Sequence, residues 1–89
     1  MTEAYLLAQD AMSKLRSAIY ILLNDAPQSG LRNAEVGRSL GIYSGHVGHE
    51  GHISRTILSL MEAEGVVEQD SETKAWRLRT QPKPDEILD

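Results

Sequence analysis

GHVGHEGHISRTILSLMEAE, residues 45–64, decides how the rest of the chain is read. It opens on a glycine-histidine repeat, with His46, His49 and His52 each preceded by Gly45, Gly48 or Gly51, and continues to Gly65 without a proline. The second part predicts an amphipathic helix over residues 52–64. With Ile53 as origin and 100° per residue, Ile57, Leu60, Met61 and the stem of Glu64 fall within about a quarter-turn, the stripe of a helix packed on one side. His52, Arg55, Ser59 and Glu62 gather opposite, with Thr56 and Leu58 at the flanks.

The surroundings of this helix are small and economical. The chain has 89 residues, 40% hydrophobic and 25% charged, which describes one globular domain. It has no Phe, one Trp and three Tyr, so its core has to come from Leu, Ile, Val, Ala and Met. The absence of cysteine excludes a disulfide framework and a thiolate zinc site. With neither a signal peptide nor an apolar run near ~20 residues, a cytoplasmic location and no membrane partner are expected.

Upstream, Thr2 is placed to cap a first helix that ends before Pro27, with Glu3 near its positive end. This helix spans roughly 35 Å. Ala4, Ala8, Ala11, Leu15, Ala18 and Leu22 follow a 4-3 spacing beside Tyr5, Met12, Ile19, Leu7 and Leu23, an apolar arc of about 160° where one core needs ~100°. The surplus points to a homodimer contact through this helix; the alternative is that the small domain wraps it entirely. Residues 25–30 read as a turn, Leu31 as a one-rung strand, and Asn33 as N-cap of a second helix, Ala34 to Leu40, stopped by Gly41. The connection to the next helix, Gly41 to about Gly51, exceeds the usual three or four residues of a helix-turn-helix, with Ile42, Tyr43 and Val47 available to tether it. Downstream, residues 66–69 and 74–79 flank the turn 70–73 as a hairpin, with Trp76 and Leu78 inward and Arg77 and Arg79 outward. Residues 80–89, with Pro82 and Pro84, read as a flexible tail or linker after a domain of residues 1–79.

The fold class is thus α+β, mainly α: three helices, a short strand and a C-terminal hairpin. In that order the chain resembles the winged-helix superfamily over residues 3–79, most specifically in LRNAEVGRSLGI, SRTILSLMEAEGVVEQ and AWRLR. In that superfamily the segment like LRNAEV supports the recognition helix, a Leu-x-x-x-Glu-Gly step ends it, and the valines that follow begin the wing. The resemblance implies DNA binding, with Ser54, Arg55, Thr56 and Ser59 near the major groove and wing residues near phosphates. The chain departs from the pattern in its glycine-histidine insertion and in its acidic wing tip.

Charge agrees with this in distribution rather than in sum. The formal net charge is −4, which weakens nonspecific attraction to phosphate. Residues 30–60 nevertheless form the one net-positive segment, with Arg32, Arg38 and Arg55 against Glu35 and Glu50. An outward face of Arg, Ser, Thr and His suits base edges and phosphates better than a generic solvated face, which is richer in Lys and Glu; the plain alternative is that any exposed helix face is polar.

His46, His49 and His52 recur every three residues, and with Glu50 they could hold zinc or nickel if helical. The intervening glycines cost a helix about 1 kcal/mol each, so a glycine-shaped loop that presents imidazoles to phosphate or to a partner is the preferred reading, with a loop whose histidines only hydrogen-bond locally as the alternative, and neither a metal nor another cofactor is expected. No nucleophile elbow, carboxylate pair or phosphate-cradling lysine loop is present, so catalysis is not expected. The sequence therefore predicts a sequence-specific module for double-stranded DNA, either a small bacterial-type transcription regulator or the targeting part of a DNA-processing or defence system. Its expected contacts are His46, His49, His52, Ser54, Arg55, Thr56 and Ser59, with Arg38, Asn33 and Arg77 beside them. The rival reading is a protein-interaction domain that uses the first helix and the acidic wing without DNA contact, and a larger protein partner is compatible with either.

Overall fold

A computed structural model describes residues 2–44 and 50–80. His46, Val47 and His49 fall outside that part, as does the expected tail beyond Thr80. The element order is α1 (Glu3–Asn24), α2 (Asn33–Ser39), α3 (His52–Ala63), β1 (Val67–Gln69) and β2 (Trp76–Leu78), a mainly helical α+β arrangement.

Local chemistry sets the helix ends. The Thr2 hydroxyl accepts from the Tyr5 amide at 3.1 Å and opens α1 as expected. Both later helices close in the same hydrogen-bond pattern: Ile42 N–H donates to Gly37 and Gly41 N–H to Arg38 after α2, while Val66 N–H donates to Met61 and Gly65 N–H to Glu62 after α3. Each pair satisfies carbonyls that a helix end would leave open. The second stop also throws the chain directly from α3 into the hairpin.

The hairpin is antiparallel, with Val67 opposite Leu78, Glu68 opposite Arg77 and Gln69 opposite Trp76. Leu31 forms the single strand rung read from the sequence and pairs with Trp76 through two backbone hydrogen bonds of 2.9 and 2.6 Å. β2 is therefore paired with β1 on one edge and bridged by Leu31 on the other at Trp76, and the expected exposure of Arg77 is corrected. Trp76, Arg77 and Leu78 are all buried, Arg77 to 5% exposure. A strand flanked on both edges and crossed by helices presents less free face than an isolated hairpin does.

The core lies between the C-terminal half of α1, α3 and the sheet: Ile19 and Leu23, Val36, Ile57, Leu58 and Met61, then Val67, Trp76 and Leu78, with Met12, Leu15, Leu22, Leu31, Leu40 and Val66 packed around it. α1 follows the expectation over its second half alone. All its residues from Glu3 to Ala11 are exposed, and in its second half Tyr20 and Ile21 are exposed as well, so within the arc read from the sequence the uncovered part is the N-terminal end, where no residue is packed. Arg16 closes the core's rim through a 3.1 Å ion pair with Glu64.

Trp76 is 4% exposed and joins the Leu31 rung to the hairpin. Trp76→Ala is expected to destabilise the domain by ~3–5 kcal/mol, a large share of the reserve of a domain this size. Thermal unfolding checks this, and an unchanged, cooperative melting temperature would contradict it.

Candidate nucleic-acid interface

The face that α3 offers is decided at its first turn. Gly51 precedes the helix with φ 80, a left-handed conformation open to glycine at little cost. A side chain there would also meet Asn33 Nδ2 and Tyr43 Cε1, both at 2.7 Å. The Gly51 carbonyl accepts from the Arg55 amide at 3.0 Å and from Asn33 Nδ2 at 3.0 Å. Ser54 Oγ lies 2.8 Å from Asn33 Oδ1 and 3.1 Å from the same carbonyl. With one hydroxyl proton to give, Ser54 donates to the nearer oxygen. The Gly51 amide is tied in turn to the Ser44 carbonyl at 3.0 Å, closing the connection whose middle is residues 45–49.

Close approach of α2 makes this latch possible. Gly37 is buried against Ser54 and Tyr43, and a Cβ on it would lie 3.0–3.1 Å from both side chains. Tyr43 fills the remaining space and carries the Arg38 guanidinium 4.6 Å above its ring, a cation–π contact that holds the cation in place.

One expected contact residue and one expected cap are thereby corrected. Ser54 is fully buried and engaged in the latch, and so does not reach a base edge. Asn33 is the first residue of α2 rather than its cap, and each end of its amide makes a bond at the start of α3. The cap position belongs to Arg32, whose amide donates to Glu35 Oε1 at 2.9 Å while its Nε donates to the Thr73 carbonyl at 3.0 Å, linking α2 to the hairpin turn.

The buried side of α3 is Ser54, Ile57, Leu58 and Met61, while Leu60 is 38% exposed. Relative to the stripe read from the sequence the helix is rolled by about 60°, because a serine held by hydrogen bonds takes a core position that hydrophobicity alone gives to Leu60. The exposed face keeps His52, Arg55, Thr56 and Ser59. His52, Thr56 and Ser59 now lie about 150–170° from the middle of the buried stripe and Arg55 about 110° from it. Arg55 has no ion pair or side-chain hydrogen bond among the described residues. Of the remaining expected contacts, Arg38 is exposed on its Tyr43 shelf and Arg77 is buried in β2. Arg79, outside the expected contact set, is the exposed arginine of the hairpin.

The hairpin turn is rigid and acidic. Asp70 accepts from the amides of Glu72 and Thr73 at 2.8 Å each, its own amide donates to Ala75, and Lys74 takes φ 66 to close the loop. The Thr73 amide, then that of Glu72, holds the Asp70 carboxyl below the usual carboxylate range. No known protein family, curated protein or solved structure matches the chain.

Two outcomes follow from these contacts. Ser54→Ala leaves Asn33 Oδ1 without its donor inside the interface between α2 and α3, and should cost about 1–3 kcal/mol in unfolding measurements; a loss of ligand affinity with unchanged stability would instead return Ser54 to the exposed face. Asp70, depressed in the folded state, should titrate below the usual carboxylate range in an NMR pH series. Its contribution is then present above the unfolded carboxylate pKa and fades as pH falls through the folded value, with Thr73 amide protection fading alongside. An Asp70 titration at the ordinary value would contradict the turn geometry.

Proposed function

We propose that this chain is a winged-helix module that binds double-stranded DNA in a sequence-specific way, with α3 as the helix that enters the major groove. The observation that carries this reading is the exposed face of α3, where His52, Arg55, Thr56 and Ser59 stand together with no acidic residue between positions 52 and 61. These side chains offer donors and acceptors of the kinds that read base edges: arginine to guanine, hydroxyls to several bases, imidazole to an edge or a phosphate. A helix latched to the body at its first turn meets DNA as a rigid element, which lowers the ordering cost of binding.

Arg38 extends the surface. Its guanidinium rests on Tyr43, whose ring packs where α3 begins, so a fixed cation stands at the helix entrance and is suited to a phosphate. The order of helix, rung, helix, helix and hairpin supports the wing assignment, with β1 and β2 as the wing. Its tip carries Asp70 and Glu72 and is suited to stand clear of the backbone rather than to grip it. With so few cations, affinity has to come from fit, and the net charge of −4 suppresses nonspecific coating. A small transcription regulator and the targeting part of a DNA-processing system both match such a module.

Selection from a random double-stranded pool, with sequencing of the captured fragments, tests the reading and should return a recurrent motif. Arg55→Ala should weaken binding to that motif by ~1–3 kcal/mol and leave the melting temperature in place. Capture without sequence enrichment, or undiminished binding by Arg55→Ala, would overturn it.

A further inference from the structure

The end of α1 that projects from the body is apolar where solvent meets it. Tyr5 is 49% exposed, Leu6 54% and Leu7 64%, and every residue from Glu3 to Ala11 is exposed. A few helical turns without packing are marginal in water. The side of α1 that faces the core at Leu15, Ile19 and Leu22 continues outward as Ala4, Ala8 and Ala11, flanked by Tyr5 and Met12 on one side and Leu7 on the other. This alanine seam, continuous with the domain's own core, ends in the open.

Charge selects the occupant. In α1 the acidic residues are Glu3 and Asp10 and the basic ones Lys14 and Arg16, so the outer half is negative and the next turn positive. A second α1 laid parallel would set like charges side by side. Laid antiparallel with Ala8 facing Ala11 of the second copy, it places Glu3 beside Lys14 and the acidic half of each helix along the basic turn of the other, and the two helix dipoles oppose. The Asp10–Lys14 pair at 2.9 Å within one helix is solvent-exposed on both sides and free to re-form across the seam. We infer that two copies of this chain pair antiparallel through the projecting half of α1, Ala4, Ala8 and Ala11 packing against one another with Tyr5 and Leu7 covering the edges. This surface is separate from the exposed face of α3, and the pairing does not rest on the DNA reading.

Sedimentation equilibrium at roughly tens of micromolar, where modest interfaces assemble, is expected to give twice the 9.9 kDa chain mass. Glu3→Lys with Asp10→Lys should weaken self-association by about tenfold or more, as should Lys14→Glu alone; mixing the two variants should restore the dimer. All three positions are exposed, so circular dichroism and melting of the isolated variants should report intact helices. Orientation is read by disulfide capture, which the absence of cysteine makes clean. Ala8→Cys mixed with Ala11→Cys should cross-link, whereas Ala4→Cys alone should not, its two copies lying about 16 Å apart along the antiparallel axis. A 9.9 kDa species at every concentration, charge variants that dimerise as the parent does, or efficient self-linking by Ala4→Cys would each overturn the inference, while capture of a DNA motif would be untouched by any of them.

Discussion

The Gly51 carbonyl and the two side chains that meet at it, Asn33 and Ser54, hold the rest of the arrangement in place. One acceptor at the start of α3 receives the Arg55 amide of the helix itself and a side-chain amide from α2, while the serine one turn in bonds the other end of that same asparagine. Buried polar groups have value in a fold when every donor has found an acceptor, and a satisfied network specifies geometry where apolar contacts only specify proximity. Here the geometry specified is the roll of α3. It puts Ile57, Leu58 and Met61 on the core and leaves His52, Arg55, Thr56 and Ser59 outside.

The sheet does for the far end of α3 what the latch does for its start. Val66 is bound to Met61 behind it and to the Arg79 amide ahead, so the helix passes into the hairpin without slack. β2, paired on one edge with β1 and on the other with Leu31, returns the chain to the turn before α2, and Arg32 fastens that turn to Thr73. Each end of the exposed helix is thus anchored to a different part of the body, which is how a domain with few aromatic residues can present a stiff surface.

Much of this was legible in the residues. Thr2 capping α1, the stops at Gly41 and Gly65, the rung at Leu31 and the hairpin around residues 70–73 all follow from local chemistry that acts over three or four residues. The misplaced residues share a cause, since each depends on a neighbour distant in sequence. Asn33 has the composition of a cap, and only the approach of Gly51 makes it a latch. Ser54 counts as polar in any periodicity, so the hydrophobic stripe of the sequence runs through Leu60, whereas Ser54 is buried where Gly37 on another helix lets it approach. Arg77 alternates correctly for a hairpin with one free face, and it is buried in a strand that the Leu31 bridge and α1 also contact. The exposed group on α3 survived the roll largely intact, Ser54 excepted, because a rotation of about 60° moves a broad polar face less than it moves a narrow apolar stripe.

Residue-resolved NMR during titration with the selected DNA duplex tests most directly the proposal that the latched helix binds through its outward side. The predicted result is perturbation of His52, Arg55, Thr56 and Ser59, joined by Arg38, with the Asn33 side-chain amide keeping the shifts of a bonded group. Perturbation centred instead on the acidic hairpin turn or on the projecting half of α1, or release of the Asn33 amide on binding, would contradict it.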